Sequence, residues 1–131
     1  MQDRPTAIEL LDALGDFMRD RATHARDRWE RFQFQVAANS IGIIGRELAL
    51  DDGFMREEWR MLDGLLGTEA MPAEQAAFAG RLRERNEALV ARIRAGDFDG
   101  DDEALVPYLW RTVVNKVAIA SPAVGGARGE E

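Results

Sequence analysis

Few residues in this 131-residue chain could act as catalysts. Nucleophilic catalysis by serine, threonine or cysteine needs a base beside the nucleophile, and histidine is the usual base. The only histidine is His24, which stands beside Thr23 in a charged stretch, and cysteine is absent. The absence of cysteine excludes a disulfide framework, a thiolate nucleophile and a thiolate metal ligand. We therefore interpret His24 as an exposed loop residue.

One acidic segment invites comparison with a calcium site. Asp97, Asp99 and Asp101 have the alternate spacing with which a calcium-binding EF-hand loop begins. Gly100 does not stand where that loop requires its turn, and Tyr108 occupies the twelfth position, where a bidentate glutamate is needed. The segment is better explained as the acidic start of a helix, which the helix dipole favours.

Other signatures of a reactive site are absent from the sequence. The spacings Glu-x-x-His and His-Glu-x-x-His, which put metal ligands on one helix face, do not occur. The pair Glu57 and Glu58 is interpreted as the solvated first turn of a helix. Neither a glycine-rich phosphate loop with Lys and Ser/Thr nor a dinucleotide-binding fingerprint is present. We therefore predict no catalytic residue, no bound metal and no cofactor.

Polar residues form a line along one predicted helix. Their spacing of i, i+7, i+11, i+14 and i+18 places them on one face: Arg28, Gln35, Asn39, Gly42 and Arg46. Two interpretations stay open: a solvated face or internal hydrogen-bond network, and a contact surface for another protein. The same choice applies to Asn86, Arg111, Asn115 and Lys116. Amide and guanidinium groups bind well but are poor acids and bases, so such a surface indicates recognition rather than catalysis.

The spacing of the apolar residues predicts an all-α fold. A first helix is expected over residues 6–20, where Thr6 and Glu9 have the spacing of a capping box. A long central helix is expected over residues 27–50, and its large apolar residues recur at helical spacing: Trp29, Phe32, Val36, Ile41, Ile44 and Leu48. Because this apolar surface is wider than a single stripe, we expect the central helix to contact neighbours on two or three sides.

Three more helices complete the predicted fold. Asp51, Asp52 and Gly53 are expected to end the central helix, and a third helix then covers residues 53–66. A fourth covers residues 72–95, with Pro72 in its first turn, and a fifth covers residues 103–120. Their core rows are expected to be Met55, Trp59, Leu62 and Leu66, then Phe78, Leu82, Leu89 and Ile93, then Leu105, Leu109, Val113 and Val117. The predicted fold is a five-helix up-and-down bundle over residues 1–122, followed by a disordered glycine-rich tail over residues 123–131.

The net charge and the hydropathy of the chain argue against nucleic acids and membranes as binding partners. The formal net charge is -7 and the isoelectric point is about 4.8. These values argue against binding to nucleic acid or to an anionic membrane surface, because both need a positive protein face. No signal segment follows Met1, and no apolar run is long enough to span a bilayer. We therefore expect a soluble cytoplasmic protein.

Four stretches of the sequence resemble one protein family. They are residues 4–11 (RPTAIELL), 36–50 (VAANSIGIIGRELAL), 89–98 (LVARIRAGDF) and 109–122 (LWRTVVNKVAIASP). The family consists of small bacterial proteins long described as a domain of unknown function, and it includes the small accessory subunit of the 4-hydroxyacyl-CoA kinase of levulinic acid breakdown. Genes of this family often lie beside those of an aminoglycoside-phosphotransferase-like kinase and an acyl-CoA dehydrogenase-like enzyme.

The resemblance implies an accessory subunit without catalytic residues of its own, which supports a kinase that phosphorylates a hydroxyacyl-CoA. Gln33 and Gln35 stand where the family often has a histidine and an arginine. The residues that match the family are Asn39, Arg46, Glu47 and Lys116. Combined with the polar line, they give the predicted partner-binding set: Arg28, Gln35, Asn39, Arg46, Glu47 and Lys116.

The leading hypothesis is therefore an accessory subunit that binds the kinase through the central-helix surface. The acyl-CoA dehydrogenase-like enzyme is a second candidate partner. An alternative is a self-associating helical protein without a kinase partner, with Met55, Trp59 and Trp110 at an isologous dimer face. A third hypothesis is an enzyme that uses helix carboxylates such as Glu47.

Overall fold

A computed structural model describes residues 3–100 and 103–122 of the chain. In these ranges the chain forms four α-helices and no strand: α1 Ala7–Thr23, α2 Arg28–Leu66, α3 Gln75–Arg94 and α4 Leu105–Ala120. The predicted all-α class is confirmed. The predicted five-helix bundle is wrong, because the second and third predicted helices are one helix. The predicted tail of residues 123–131 lies outside the described residues.

Helix α2 runs for 39 residues without a break at Asp51, Asp52 and Gly53, where the sequence predicted its end. An exposed glycine inside a helix costs only about 1 kcal/mol relative to alanine, so it does not stop a helix that other contacts support. The Asp52 carboxylate accepts a hydrogen bond from Arg56 Nε at 2.8 Å, one turn later. This pair stabilises a continuous helix, whereas the sequence predicted that the central helix ends at these residues.

The first helix begins where its capping box predicted. The amide of Thr6 donates to the Glu9 carboxylate at 2.7 Å, and the amide of Glu9 donates to the Thr6 hydroxyl at 3.2 Å. Helix α1 continues to Thr23, beyond its predicted end, and His24 caps it.

Helix α3 begins later than the sequence predicted. Glu74 is its N-cap, and its carboxylate accepts hydrogen bonds from the amides of Ala76 and Ala77 at 3.1 and 3.0 Å. Pro72 precedes this cap, so its predicted place in the first turn is wrong. Gly67 and Gly96 follow α2 and α3 with φ angles of 101° and 85°, a conformation that glycine adopts without strain.

The chain divides into two compact units: Met1–Asp51 with Ala118–Glu131 form unit 1, and Asp52–Val117 form unit 2. The boundaries fall inside helices. Helix α2 gives its first part to unit 1 and its second part to unit 2, while α4 belongs to unit 2 except at its end.

Unit 2 has a core of large side chains. Trp59 and Phe78 pack with ring centroids 5.4 Å apart, and the Trp59 indole donates to the Glu69 carbonyl oxygen at 3.0 Å. The buried cluster consists of Trp59, Leu62, Leu65, Phe78, Leu82, Leu89, Leu105 and Tyr108. The rows predicted from residues 55–66 and 78–93 are therefore confirmed as the inner faces of these segments, with Met55, Leu66 and Ile93 partly buried against the cluster.

Unit 1 is built differently. Helices α1 and α2 run antiparallel, as the approach of Gly15 to Ile41 and of Arg21 to Phe34 shows. The buried residues among the described part of unit 1 are all small: Gly15, Ala22 and Ala38. The central helix was expected to contact neighbours on two or three sides through its wide apolar surface, but most of that row is exposed: Trp29, Phe32, Val36, Ile44 and Leu48.

Helix α4 also differs from its predicted orientation. Its inner face carries Leu105, Tyr108 and Asn115, which are buried. Leu109 and Val113 were predicted as core residues and are exposed. The exposed large apolar residues of this helix are Val106, Leu109, Trp110, Val113 and Val114.

Candidate functional site

The predicted partner-binding residues lie in both units. Arg28, Gln35, Asn39 and Glu47 are exposed on the first part of α2. Arg46 is half-buried, and its Nε donates to the Ile119 carbonyl oxygen at 2.6 Å, so it holds the end of α4 within unit 1. Lys116 is exposed on α4 in unit 2. Arg46 therefore has a structural role in addition to any contact with a partner.

The start of α2 is fixed by its own side chains. The Asp27 carboxylate accepts from the amide of Glu30 at 2.8 Å, which caps the helix. The Glu30 carboxylate in turn accepts from the Arg26 amide and guanidinium, at 2.8 and 2.7 Å. These hydrogen bonds from Arg26 lower the pKa of Glu30. The first turn of α2, which carries Trp29, is therefore held in place.

A mixed apolar and polar surface follows this first turn. Trp29 and Phe32 stack with centroids 5.8 Å apart, and they are 66% and 55% exposed. Val36 extends them along the same face, since i, i+3 and i+7 lie within about 60° on a helix. Gln35 and Asn39 are exposed beside them. We call these five residues the α2 patch: Trp29, Phe32, Gln35, Val36 and Asn39.

A polar network inside unit 2 joins α2, α3 and α4. Asn86 Nδ2 donates to Glu58 Oε1 at 2.7 Å, and the Tyr108 hydroxyl lies 3.0 Å from the same oxygen and within hydrogen-bond distance of Asn86 Oδ1. Burial, and then the charge of Glu58, raises the pKa of Tyr108. These groups line a cavity of about 340 Å³ together with Arg83 and Lys116.

Glu57 forms a second contact of this kind. Its carboxylate accepts from Asn115 Nδ2 at 2.9 Å and pairs with Arg111 Nε at 3.4 Å. For Asn86 and Asn115 these contacts favour the internal network, whereas Arg111 is exposed beside Glu57. The interpretation of Glu57 and Glu58 as a solvated first turn is wrong, because both lie in the interior of α2. No sequence pattern identified Tyr108 as a network member.

A buried arginine is the other residue that the sequence did not indicate. Arg85 is 3% exposed and lies on the inner face of α3. Its guanidinium lies 4.4 Å from the centroid of the Trp59 ring, pairs with Asp63 at 2.9 Å and donates to the Gly67 carbonyl oxygen at 2.9 Å. These contacts tie α3 to the end of α2, which gives Arg85 a role in packing.

The remaining candidates for chemistry are exposed or have local partners. His24 is exposed, and its Nδ1 lies 2.9 Å from the Asp20 carbonyl oxygen and 3.0 Å from Thr23 Oγ1. Glu47 is exposed. Within the described ranges, no three His, Cys, Asp or Glu residues are grouped so that they could hold a metal ion. None of the helices in those ranges has the length and apolar character needed to cross a membrane.

Comparison with known proteins gives one match. The model of a family described as "Domain of unknown function (DUF6285)" matches residues 23–124. This range includes α2, α3 and α4 and leaves out nearly all of α1. No curated protein and no solved structure matches the chain.

Proposed function

The chain belongs to the DUF6285 family, whose description gives no activity, and we propose that it is a non-catalytic accessory subunit that binds a phosphotransferase-fold kinase acting on hydroxyacyl-CoA. The identity of the kinase rests on the resemblance described above. The observation that carries the binding role is the α2 patch, where a stacked tryptophan and phenylalanine face solvent beside two amide side chains.

The composition of the α2 patch is that of a contact with a different protein. Tryptophan is among the residues that contribute most to binding energy, and a few such residues usually dominate an interface. Interfaces between different proteins also keep polar groups for specific hydrogen bonds. Gln35 and Asn39 supply such groups next to Trp29 and Phe32. The α2 patch is therefore suited to specific recognition of one partner protein rather than to non-specific apolar association.

In the proposed complex, the kinase and this chain have different roles. The kinase supplies the nucleotide site and the acid–base groups, while this chain supplies a rigid helix surface. Burial of the α2 patch would stabilise the kinase or complete the wall of its acyl-CoA pocket. An acyl-CoA dehydrogenase-like enzyme, which acts on the product of the kinase, stays a second candidate partner.

The test is titration calorimetry of the full chain with the aminoglycoside-phosphotransferase-like kinase that the resemblance leads us to expect beside its gene. We expect Trp29→Ala to weaken the dissociation constant about 30-fold, because truncation of an interface tryptophan typically costs about 2 kcal/mol or more. Asn39→Ala should weaken binding by a smaller factor of about 5. Arg60→Ala changes an exposed residue on the other part of α2 and serves as the control. The proposal fails if no complex forms, or if Trp29→Ala binds as tightly as the native chain.

The alternative hypothesis, self-association through a face with Met55, Trp59 and Trp110, does not agree with the burial of Trp59. Trp59 is 1% exposed and forms part of the unit 2 core, so it cannot lie at a dimer face. Trp110 remains exposed. A face that includes Trp59 is therefore no longer a candidate.

A further inference from the structure

Unit 1 exposes a second apolar surface, which the α2 patch does not include. Leu10, Leu14 and Phe17 recur at i, i+4 and i+7 on α1, and Ile44 and Leu48 lie one turn apart on α2. Each of these five side chains is between 44% and 59% exposed. We call them the hairpin face.

Helix geometry places the five residues on one side of the α1–α2 pair. The two helices touch along Gly15 and Ile41, where an added Cβ on the glycine would lie 3.6 Å from Ile41 Cγ2. At 100° per residue, the α1 residues lie roughly 100° to 160° from Gly15 on one side, and Ile44 and Leu48 lie roughly 60° and 20° from Ile41 on the same side. The α2 patch lies roughly 160° from the line of contact, on the part of α2 that points away from α1. The two surfaces are therefore separate.

Among the described residues, the five side chains stay exposed in the presence of the rest of the chain. The residues outside the described ranges are 1–2, 101–102 and 123–131. Their only apolar side chains larger than alanine are Met1 and Val124. These residues therefore supply little large apolar surface of their own.

We propose that a second copy of this chain covers the hairpin face, so that two α1–α2 pairs stack as a four-helix bundle with one shared core. Two antiparallel helices with apolar residues at i, i+4 and i+7 form half of such a bundle. At roughly 100 Å² of exposed side chain for each residue, one copy contributes about 500 Å² of apolar area. Two copies then bury about 1,000 Å² of apolar area, which is about the minimum expected of a biological interface.

The apolar composition of the hairpin face favours a second copy of this chain over a different protein as its partner. Homodimer interfaces are more apolar than interfaces between different proteins. None of the five side chains carries a charge or a hydrogen-bonding group, in contrast to the α2 patch. In an isologous contact the same surface meets itself, and these five side chains do so without bringing like charges together. The hairpin face is independent of the α2 patch, so this proposal can fail while the proposed function holds.

Sedimentation velocity of the full chain tests the proposal. We expect a mass of about twice 14.6 kDa at micromolar concentrations. Leu14→Glu should give the monomer, because a carboxylate at the centre of the interface would be buried without a partner. Val113→Glu makes the same change at a similarly exposed position of α4 and should leave the dimer intact. A monomeric native chain, or a dimer that Leu14→Glu does not weaken, overturns the proposal.

Cysteine cross-linking tests the same face independently, in case Leu14→Glu fails to fold. Because the chain has no cysteine, single substitutions provide unique cross-linking positions. Leu14→Cys and Phe17→Cys should each give a covalent dimer with a bismaleimide, and Asp12→Cys, on the polar side of α1, should not. Circular dichroism confirms that each variant keeps its helices. Equal cross-linking at all three positions would contradict the proposed face.

Discussion

At the scale of single residues, Tyr108 is the only tyrosine of the chain, so its titration reports on the polar network that it forms with Glu58 and Asn86. Burial and the Glu58 carboxylate disfavour the phenolate, so the pKa of Tyr108 is raised above its ordinary value of 10.0 in the folded chain. The unfolded chain releases this proton at lower pH than the folded chain does. The stability that this shift provides is therefore complete below pH 10 and decreases as the pH rises above it.

Two measurements check the prediction for Tyr108. The phenolate absorbance should appear at higher pH in the folded chain than in urea, where the pKa should be about 10. Tyr108→Phe should lower the free energy of unfolding by about 1–3 kcal/mol at neutral pH, because Asn86 Oδ1 loses a nearby donor. The difference between native chain and variant should then shrink above pH 10. A phenolate that titrates alike with and without urea would contradict the network.

At the scale of elements, the continuity of α2 predicts the effect of a glycine substitution. Gly53 is exposed inside the helix, and an added Cβ meets nothing within 4 Å. Gly53→Ala should therefore raise the free energy of unfolding by about 0.5–1 kcal/mol in urea denaturation. Gly67 is the matched control: its φ of 101° disfavours a side chain, so Gly67→Ala should destabilise by about 1–2 kcal/mol. If α2 broke at residues 51–53, Gly53→Ala would be neutral or destabilising.

The same elements show which features local sequence could predict. The capping box of Thr6 and Glu9 and the helix end at residue 66 depend on neighbours within one turn, so the local sequence identified them. The end predicted at Gly53 was wrong because a local stop signal is weak against a helix held on both sides of it. Arg85 was missed because its burial depends on the Trp59 ring and on Asp63, which approach it only in the folded unit.

Which apolar residues are buried was harder to predict than where the helices begin and end, because burial also depends on neighbours that are distant in sequence. The rows on residues 55–66 and 78–93 were placed correctly, since each helix there has one apolar face and neighbours to cover it. The first part of α2 and helix α4 have apolar residues on more than one side. Which side is buried then depends on what lies next to it, and spacing does not contain that information. Leu109 was placed in a core row for this reason and is exposed.

At the scale of the whole molecule, the two units bury very different kinds of side chain. Unit 2 buries Trp59, Phe78 and Leu62, whereas the described part of unit 1 buries glycine and alanine. Most of the stability of a helix in a protein comes from the packing of its apolar face. We therefore expect the proposed second copy to stabilise the helices of unit 1 more than those of unit 2.

Hydrogen exchange measures this dependence directly. If a second copy covers the hairpin face, amide protection in α1 and in residues 28–50 should increase with protein concentration, while protection in α3 should stay constant. In Leu14→Glu the concentration dependence should disappear, and the amides of α1 should exchange at the rate seen for the dilute native chain. Addition of the kinase to this variant should then protect residues 28–39 on α2 and leave α1 unprotected, because the α2 patch lies on the side of α2 away from α1. Strong protection of α1 in the dilute native chain, at the level of α3, would mean that unit 1 is stable alone and has no need of the second copy.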